Sequence, residues 1–264
     1  MNEAEFLFSE ILNCNRLSLF LNKESPLGKD KSILIASVLK RRVKGEPIQY
    51  ILGKTEFMGL EFKINPDVFI PGPETEILVE KTLKIVHEFL SSRVGELKIL
   101  DIGTGSGCIA VSLAKFLAGV KIDAVDVSMG ALKIAEENAR LNNVNINFIQ
   151  ANLLTPYHLP LITYDLIVSN PPYIPTREIK ELQQEIRYEP AIALDGGSDG
   201  LDFYRRIVAC TPAYLNNCGF LIMEMGFGQS ESIENIFQKS GNFEIIDVVK
   251  DYNSIERVIV TQKI

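Results

Sequence analysis

From Leu97 onward, short apolar segments alternate with segments of helical periodicity. The apolar segments are KILDIG, KIDAVDV, INFIQAN, YDLIVSN and GFLIMEMG, with helical patterns such as ALKIAEENARLNN between the first three. The chain closes with FEIIDVV and RVIVTQ, which are spaced like a terminal hairpin. Strands connected through helices pair in parallel, and such sheets are covered on both faces. The sequence therefore predicts an α/β fold with a mostly parallel sheet between helical layers.

The first half-hundred residues instead carry a helical pattern, which Gly45 and Pro47 end. The next segment, GKTEFMGLEFKINP, alternates around a Met58-Gly59 turn and predicts a small β-hairpin whose one face is Leu60, Phe62 and Ile64. A stiff joint at residues 71–73 precedes a helix that runs to about Ser91. We therefore expect a helical amino-terminal domain with a hairpin linker over residues 1–73 and a second domain over residues 74–264.

Composition narrows the class of protein. Hydrophobic residues make up 46% of the 264 residues and charged residues 23%, as in an ordinary globular protein. No apolar run reaches the roughly 18 residues of a membrane span, and the acidic start MNEAEFLFSE lacks the basic region of a signal peptide. We therefore predict a cytoplasmic protein with no membrane partner. The four cysteines are scattered and the two histidines have no ligand-spaced neighbours, so no disulfide framework and no metal site are expected.

The net charge of −7 helps to decide whether the protein binds long nucleic acid. A protein that grips long nucleic acid usually presents a basic face, because phosphate contacts dominate that affinity. The acidic balance argues against such a partner. One basic cluster consists of Lys40, Arg41, Arg42 and Lys44. It could be a local patch for phosphate, but a solvated helix end is the preferred interpretation.

A glycine-rich loop stands where the first apolar strand turns into a helix. It comprises Asp101, Ile102, Gly103, Thr104, Gly105, Ser106 and Gly107. Glycines at this place let the backbone turn sharply and let a ligand lie against it. Asp126 ends the next strand, where a carboxylate can accept hydrogen bonds from both hydroxyls of a ribose. Alone, the glycines could form a turn that Ser106 caps; together with Asp126 they predict a nucleotide-type pocket.

The glycine spacing separates two classes of ligand. A dinucleotide fingerprint reads GxGxxG, but here the third glycine comes one residue early. Asp101 would repel a pyrophosphate, whereas it could help to hold the ammonium group of a methionine directly or through water. DxGTGSG resembles the first motif of class I methyltransferases, and VDVS resembles their second. That resemblance implies S-adenosylmethionine as cofactor and places Asn152 and Leu153 against its adenine.

Asn170-Pro171-Pro172-Tyr173 follows the fourth strand of the predicted sheet. Ligands of open α/β sheets bind beyond the carboxyl ends of the strands, near the point where strand order reverses, so this motif and the glycine loop should open into one crevice. The nitrogen lone pair of an amide is delocalised, so acceptors on its N–H groups must orient it and stabilise the charge that it gains. Asn170 offers a side-chain carbonyl, Pro171 a backbone carbonyl and Tyr173 a flat face for stacking. An isolated motif of this kind could also be a rigid surface turn.

Five separated sequence blocks reduce the number of candidate methyl acceptors. They are GEPIQYILG, the PETE of IPGPETEILVE, DIGTGSGCIAVSLA, IVSNPPYI and EPAIALDGGSDGLDFYRRI. From about Gly45 to the carboxyl terminus the chain resembles the release factor glutamine methyltransferases (the HemK/PrmC family). The resemblance implies a class I, Rossmann-like methyltransferase domain with a seven-stranded sheet and a small helical amino-terminal domain. It also implies N5-methylation of the glutamine in the Gly-Gly-Gln tip of class I peptide chain release factors, with S-adenosylhomocysteine as the second product.

The motif matches assign site residues. The cofactor would contact Asp101, Gly103, Thr104, Gly105, Ser106, Gly107, Asp126, Asn152, Leu153 and Asn170. The glutamine would be held, and its methylation catalysed, by Asn170, Pro171, Pro172 and Tyr173. Gly72 stands where family members usually carry Arg, which puts activity or stability in doubt, and Asn152 stands where Asp is commoner. The segment Asp195–Gly200 is also typical of the family, but the sequence does not indicate its role. The alternative interpretation is a turn with left-handed glycines that leads into a helix.

Other functions stay open on the sequence alone. A methyltransferase for amines of nucleic acid could use the same acceptor clamp, Asn170 to Tyr173, although it would need a basic recognition surface. Glutamines of ribosomal proteins are a further possible substrate. A non-catalytic adaptor has no use for an acceptor clamp, and a dinucleotide-dependent dehydrogenase would need a glycine spacing that this chain lacks.

Overall fold

The amino-terminal segment folds into helices, as its apolar spacing predicts. The computed structural model describes residues 3–22, 26–90, 95–152 and 162–264. Its first helices are α1 (Glu3–Leu12), α2 (Arg16–Leu21), α3 (Lys29–Val43) and α4 (Ile48–Leu52). Asn15 caps α2, because its side-chain oxygen accepts the backbone N–H of Ser18 over 2.8 Å. No helix within these ranges is long and apolar enough to cross a membrane.

Two of the four basic residues at the end of α3 are paired within the chain. Arg41 Nε donates to Glu46 Oε2 over 2.8 Å. Arg42 forms an ion pair with Glu3 and donates to Glu185 Oε1 over 2.6 Å. Since these guanidinium groups already have carboxylate partners, the cluster is better described as a helix end than as a patch for phosphate.

The hairpin forms at the predicted turn. Its strands are β1 (Lys54–Phe57) and β2 (Leu60–Lys63), which pair antiparallel. Met58 and Gly59 both have positive φ, as a two-residue hairpin turn of this kind requires. The rings of Phe57 and Phe62 meet edge to face at 6.0 Å and lie in the same apolar cluster as Leu78. The hairpin therefore packs on the second half of the chain, and the domain boundary at residue 73 stays a prediction.

The other strands form one seven-stranded sheet. In chain order the elements are α5 (Pro73–Ile85), β3 (Leu97–Ile102), α6 (Cys108–Phe116), β4 (Val120–Asp126), α7 (Met129–Leu141), β5 (Asn147–Gln150), β6 (Tyr164–Ser169), α8 (Asp202–Cys210), β7 (Leu215–Glu224), α9 (Ser230–Ser240), β8 (Phe243–Lys250) and β9 (Glu256–Lys263). The order across the sheet is β5-β4-β3-β6-β7-β9-β8. The pairs are parallel except those of β9, which runs antiparallel to β7 and β8. The predicted Rossmann-like α/β fold is confirmed.

Both faces of the sheet are buried. Ile99 and Leu166 belong to an apolar cluster that includes α5 and α6, whereas Leu100 and Ile167 belong to a second cluster with α8 and α9. This double burial explains why the central strands, such as β6, carry nearly continuous apolar runs, whereas in the edge strand β8 charged residues interrupt the run. Strand order reverses between β3 and β6. The carboxyl ends of these two strands carry the glycine loop and the Asn170 motif, so both open at the same edge.

Candidate active site

The glycine loop connects β3 to α6 and lies beside the end of β4. The backbone N–H groups of Gly103 and Thr104 both donate to the carbonyl oxygen of Val125, over 2.9 and 3.0 Å. Gly103 and Gly105 have φ of +73° and +53°, and a Cβ on either would meet no atom of the described residues closer than 4.0 Å. Open space therefore lies directly against this backbone, as a ligand cradle requires.

Gly107 differs from the other glycines of the loop. It is the residue before α6, and a Cβ there would lie 3.0 Å from the Cβ of Ala135 in α7. Glycine at this position therefore lets α6 and α7 pack closely. Gly107 is absent from the described residues that line the cavity, so its contact with the cofactor stays a prediction.

Asp101 lies beneath the loop and is fully buried. Thr104 Oγ1 donates to Asp101 Oδ2 over 2.6 Å, while Oδ1 has no hydrogen-bond partner in the described part of the chain. Burial raises the pKa of Asp101 to about 7, against the effect of the Thr104 hydrogen bond. What the side chain visibly does is hold Thr104. Since Asp101 is not on the described cavity wall, its contact with an ammonium group stays a prediction.

Asp126 lies on the cavity wall at the end of β4. Its two carboxylate oxygens accept the backbone N–H groups of Gly105 and Ser128, each over 2.9 Å. Burial raises the pKa of Asp126, and these N–H groups oppose the shift. Because a carboxylate oxygen can accept more than one hydrogen bond, Asp126 keeps acceptor capacity for a ligand while it holds the glycine loop.

The proposed acceptor clamp, Asn170 to Tyr173, is held by hydrogen bonds that the sequence did not reveal. Asn170 Nδ2 donates to Thr75 Oγ1 over 3.0 Å, and Thr75 Oγ1 donates to Glu224 Oε2 over 2.7 Å. The Tyr173 hydroxyl donates to Glu224 Oε1 over 3.3 Å. The sequence assigned only the ring of Tyr173 a role, but the hydroxyl also fixes its position.

Glu224 ends β7 and is 2% exposed. Burial raises its pKa to about 7, against the hydrogen bonds from Thr75 and Tyr173. Sequence reasoning missed this residue and treated Thr75 only as part of the PETE block. An isolated acid within the apolar run LIMEMG was the available signal, because an unpaired carboxylate is costly to bury.

The segment Asp195–Gly200 packs against the backbone of the clamp. Gly196 N donates to the carbonyl oxygen of Ile174 over 2.8 Å. A Cβ on Gly196 would lie 2.8 Å from Tyr173 Cα, and one on Gly200 would lie 2.4 Å from the Tyr173 carbonyl oxygen. Gly200 has a φ of +76° and α8 begins at Asp202, which confirms the turn that leads into a helix. Its glycines also let this turn reach the clamp.

Both motifs line one cavity of about 430 Å³. The predicted residues on its wall are Gly103, Thr104, Gly105, Ser106, Asp126, Asn152, Asn170, Pro171, Pro172 and Tyr173. Leu153 lies outside the described residues. The linker, the segment before α8 and α8 itself complete the wall with mostly apolar side chains, among them Phe69, Ile186, Pro190 and Phe203. Within the described ranges, no group of three or more His, Cys, Asp or Glu residues could hold a metal ion.

Gly72 is not among the described residues of this wall. A Cβ there would lie 2.9 Å from Glu74 Oε2, the movable end of a side chain, so the space does not demand glycine. Glu74 is paired with Arg257 of β9 over 3.6 Å. Arg257 also pairs with Asp251 over 2.9 Å.

Two family models match the chain. Residues 1–53 match the PrmC N-terminal domain and residues 75–200 match the Methyltransferase small domain. The first match falls on the helical segment, and the second runs from α5 through the glycine loop and the clamp to Gly200.

Relatives that share one description, release factor glutamine methyltransferase, match over nearly the whole chain. The release factor glutamine methyltransferase of Geobacter sulfurreducens is 43% identical over 97% of this chain and 87% of its own. That of Thermodesulfovibrio yellowstonii is 41% identical over 100% of this chain and 92% of its own. Among solved structures, a methyltransferase from Pyrococcus furiosus aligns with a TM-score of 0.56 at 20% identity, covering 86% of this chain and 98% of that one. The structural match shows the fold, and the two sequence matches show the family.

Proposed function

The chain belongs to the release factor glutamine methyltransferase family, and we propose that it transfers a methyl group from S-adenosylmethionine to the N5 amide nitrogen of the glutamine in the Gly-Gly-Gln tip of class I release factors. The observation that carries this proposal is the orientation of Asn170. Its amide nitrogen bonds to Thr75, which leaves its carbonyl oxygen for a ligand. A carbonyl oxygen at this place suits an acceptor that presents N–H groups, as a glutamine side chain does.

The residues of the glycine loop fit S-adenosylmethionine. Open space lies against Gly103 and Gly105, and the cavity of about 430 Å³ falls in the range of small-molecule sites. Asp126 would hold the ribose hydroxyls, Asn152 would meet the adenine, and Asp101, whose Oδ1 has no partner among the described residues, would attract the ammonium group. When bound, S-adenosylmethionine supplies an electrophilic methyl group on its sulfonium sulfur and leaves as S-adenosylhomocysteine.

The clamp residues prepare the acceptor nitrogen. The Asn170 side-chain oxygen and the Pro171 carbonyl oxygen each accept one N–H of the glutamine amide, which fixes the nitrogen in place. The same two oxygens stabilise the positive charge that grows on that nitrogen. Tyr173 gives the planar amide a face to lie on. No strong base is needed, because the nitrogen carries a positive charge once it has accepted the methyl group, and in that state it readily loses one proton to water.

A protein substrate suits the surface better than long nucleic acid does. The net charge is −7, and Arg41 and Arg42 are already paired with carboxylates. These features disfavour a phosphate-binding face. Release factors work with ribosomes, so the proposal places the protein in the cytoplasm.

The substrate is tested by labelled methyl transfer from S-adenosylmethionine. The candidate acceptors are an intact release factor, the same factor with its tip glutamine changed to alanine, a ribosomal protein, duplex DNA and rRNA. We expect label only on the intact factor, at the glutamine, as located by mass spectrometry. Equal labelling of both release-factor forms, or transfer only to nucleic acid or to the ribosomal protein, would contradict the proposal.

The cofactor class is tested by thermal shift. S-adenosylhomocysteine should raise the melting temperature and NAD should leave it unchanged, because a ligand that binds only the folded state stabilises it. Stabilisation by NAD and none by S-adenosylhomocysteine would reverse the assignment.

A further inference from the structure

Glu224 lies behind the acceptor clamp. Its two carboxylate oxygens accept hydrogen bonds from the hydroxyls of Thr75 and Tyr173, over 2.7 and 3.3 Å. Thr75 also accepts the amide N–H of Asn170 over 3.0 Å. Thr75, Asn170 and Tyr173 line the cavity, whereas Glu224 is not among the described residues that do so. Glu224 can therefore act on a bound acceptor only through its neighbours.

We propose that Glu224 is a positioning residue whose ionised carboxylate fixes which way the Asn170 amide faces, an inference that rests on the proposed function. A threonine hydroxyl has one proton to donate. Since an ionised carboxylate can only accept, the Thr75 proton goes to Glu224, and Thr75 can then only accept from Asn170. Asn170 therefore turns its nitrogen toward Thr75 and leaves its oxygen for the acceptor amide.

Without this carboxylate the hydrogen bonds lose their direction. The Thr75 proton then becomes free to bond the Asn170 oxygen, and the Asn170 amide turns its nitrogen toward the ligand. N–H groups of Asn170 would then face N–H groups of the acceptor, which is repulsive. The rate of methyl transfer therefore falls even though every side chain on the cavity wall is retained.

The charge state of Glu224 depends on its surroundings. Burial raises the pKa of Glu224 to about 7; the hydrogen bond from Thr75 lowers it and the charge of Glu74 raises it. The titratable groups that face it are Glu74 of α5, Cys108 of α6, Tyr173 of the clamp, Tyr204 of α8 and Arg257 of β9. A protonated Glu224 can donate to Thr75, so the clamp loses its direction as the pH falls below about 7.

The test uses the full-length protein and an intact release factor. Glu224→Leu removes both acceptor oxygens, and Glu224→Gln leaves one oxygen for two hydroxyls. We expect kcat to fall roughly 10²-fold in Glu224→Leu, as misplacement of a reacting group does, and by less in Glu224→Gln. Calorimetric binding of S-adenosylhomocysteine should be unchanged, which shows that the variants are folded. Thr75→Val should match the loss in Glu224→Leu, whereas Thr75→Ser should retain most of the rate.

A double variant separates positioning from general damage. Because the proposed effect on direction passes through Asn170, Glu224→Leu should cause a much smaller loss of kcat in an Asn170→Ala background than in the wild type, the remainder being the lost contact with Tyr173. The wild-type kcat should also fall as the pH is lowered below about 7, and this dependence should be weaker in Glu224→Gln.

A wild-type rate in Glu224→Leu, or losses that multiply independently in the double variant, would overturn the positioning role. Wild-type protein that leaves the release factor unmethylated would instead overturn the proposed function. The two failures are therefore distinguishable.

Discussion

The side-chain amide nitrogen of Gln229 donates a hydrogen bond of 2.9 Å to the backbone carbonyl oxygen of Tyr173. The oxygen of the same amide accepts the backbone N–H of Gly226 over 3.1 Å. One side chain thus ties the last residue of the clamp to the loop after β7. Gln229 lies outside the described cavity wall, so it supports the clamp from behind.

Loss of this support should slow the reaction. Gln229→Leu keeps the bulk but removes the hydrogen bonds of the side-chain amide to Tyr173, Gly200 and Gly226. We expect kcat to fall about tenfold because the clamp backbone is less well placed. Gln262→Leu is the matched control, since Gln262 also donates to a backbone carbonyl, that of Cys218, over 3.0 Å but far from the cavity. Steady-state kinetics with a release factor should show a loss only for Gln229→Leu; equal rates for both variants would contradict the supporting role.

Gly200→Ala should damage the same backbone through a clash. The new Cβ would lie 2.4 Å from the Tyr173 carbonyl oxygen, and the residue has a φ of +76°. Gly119→Ala shares the strain, with a φ of +70°, but its Cβ meets no atom within 4 Å in the described part of the chain. Both should lose about 1 kcal/mol of stability from the left-handed backbone, and only Gly200→Ala should lose more, together with most of its activity. Urea unfolding measures the difference, and identical losses would show that the close approach does not matter.

Asn170→Ala removes one of two proposed acceptors for the glutamine N–H groups. We expect kcat to fall by about 10²–10³, as loss of one preorganised hydrogen bond does in other enzymes. Single-turnover methylation of a release factor measures this directly. Asn170→Asp keeps an acceptor but adds charge beside the proposed sulfonium, so it should bind S-adenosylmethionine more tightly while it transfers poorly. A normal rate in Asn170→Ala would remove the residue from the reaction.

Asp126→Ala should weaken cofactor binding by roughly 2–4 kcal/mol, allowing about 1–2 kcal/mol for each charge-assisted hydrogen bond to the ribose. The variant also leaves the N–H groups of Gly105 and Ser128 without their acceptor, which loosens the loop. Calorimetric titration with S-adenosylhomocysteine gives the Kd. Asp30→Ala, at an exposed position of α3, should bind normally, and unchanged affinity in a folded Asp126→Ala protein would contradict the ribose assignment.

The buried carboxyl of Glu224 should make stability depend on pH in a definite direction. Its pKa in the folded protein, about 7, is higher than the ordinary value of 4.5, so the folded state holds the proton more tightly than the unfolded state. The contribution of Glu224 to the free energy of unfolding therefore falls as the pH rises from about 4.5 to about 7, by up to about 1.4 kcal/mol per pH unit. Above this window the contribution is constant.

Urea unfolding of wild type and Glu224→Leu at several pH values checks this effect. The stability of the variant relative to wild type should increase through the window. Burial also raises the pKa of Asp101 and of Glu189 to about 7, but both residues are present in both proteins and their effects cancel in the difference. A difference that does not change with pH would contradict the shifted pKa of Glu224.

Patterns between near neighbours in the chain predicted the fold well. Alternation around Met58 and Gly59 predicted the hairpin, and the apolar strands separated by helices predicted the mostly parallel sheet. The glycine loop and Asn170 were found because each directly follows a strand, and the carboxyl ends of parallel strands meet at one edge. The sequence predicted a helix after the glycine turn that ends at Gly200, but it did not predict the bounds of α8, because the helical pattern follows that turn directly.

The sequence by itself determined the elements, their order and the two motifs, since periodicity and backbone preference act over a few residues. Only the tertiary structure decided which groups hold those motifs. Thr75 lies 95 residues from Asn170 and 149 residues from Glu224 along the chain, and Gln229 lies 56 residues from Tyr173. A hydrogen bond requires two atoms within about 3 Å, and packing alone brings such distant residues together. For the same reason only the packing showed that the loop glycines have different roles. Gly107 lets α6 pack closely on α7, whereas the backbone of Gly103 and Gly105 borders the cavity.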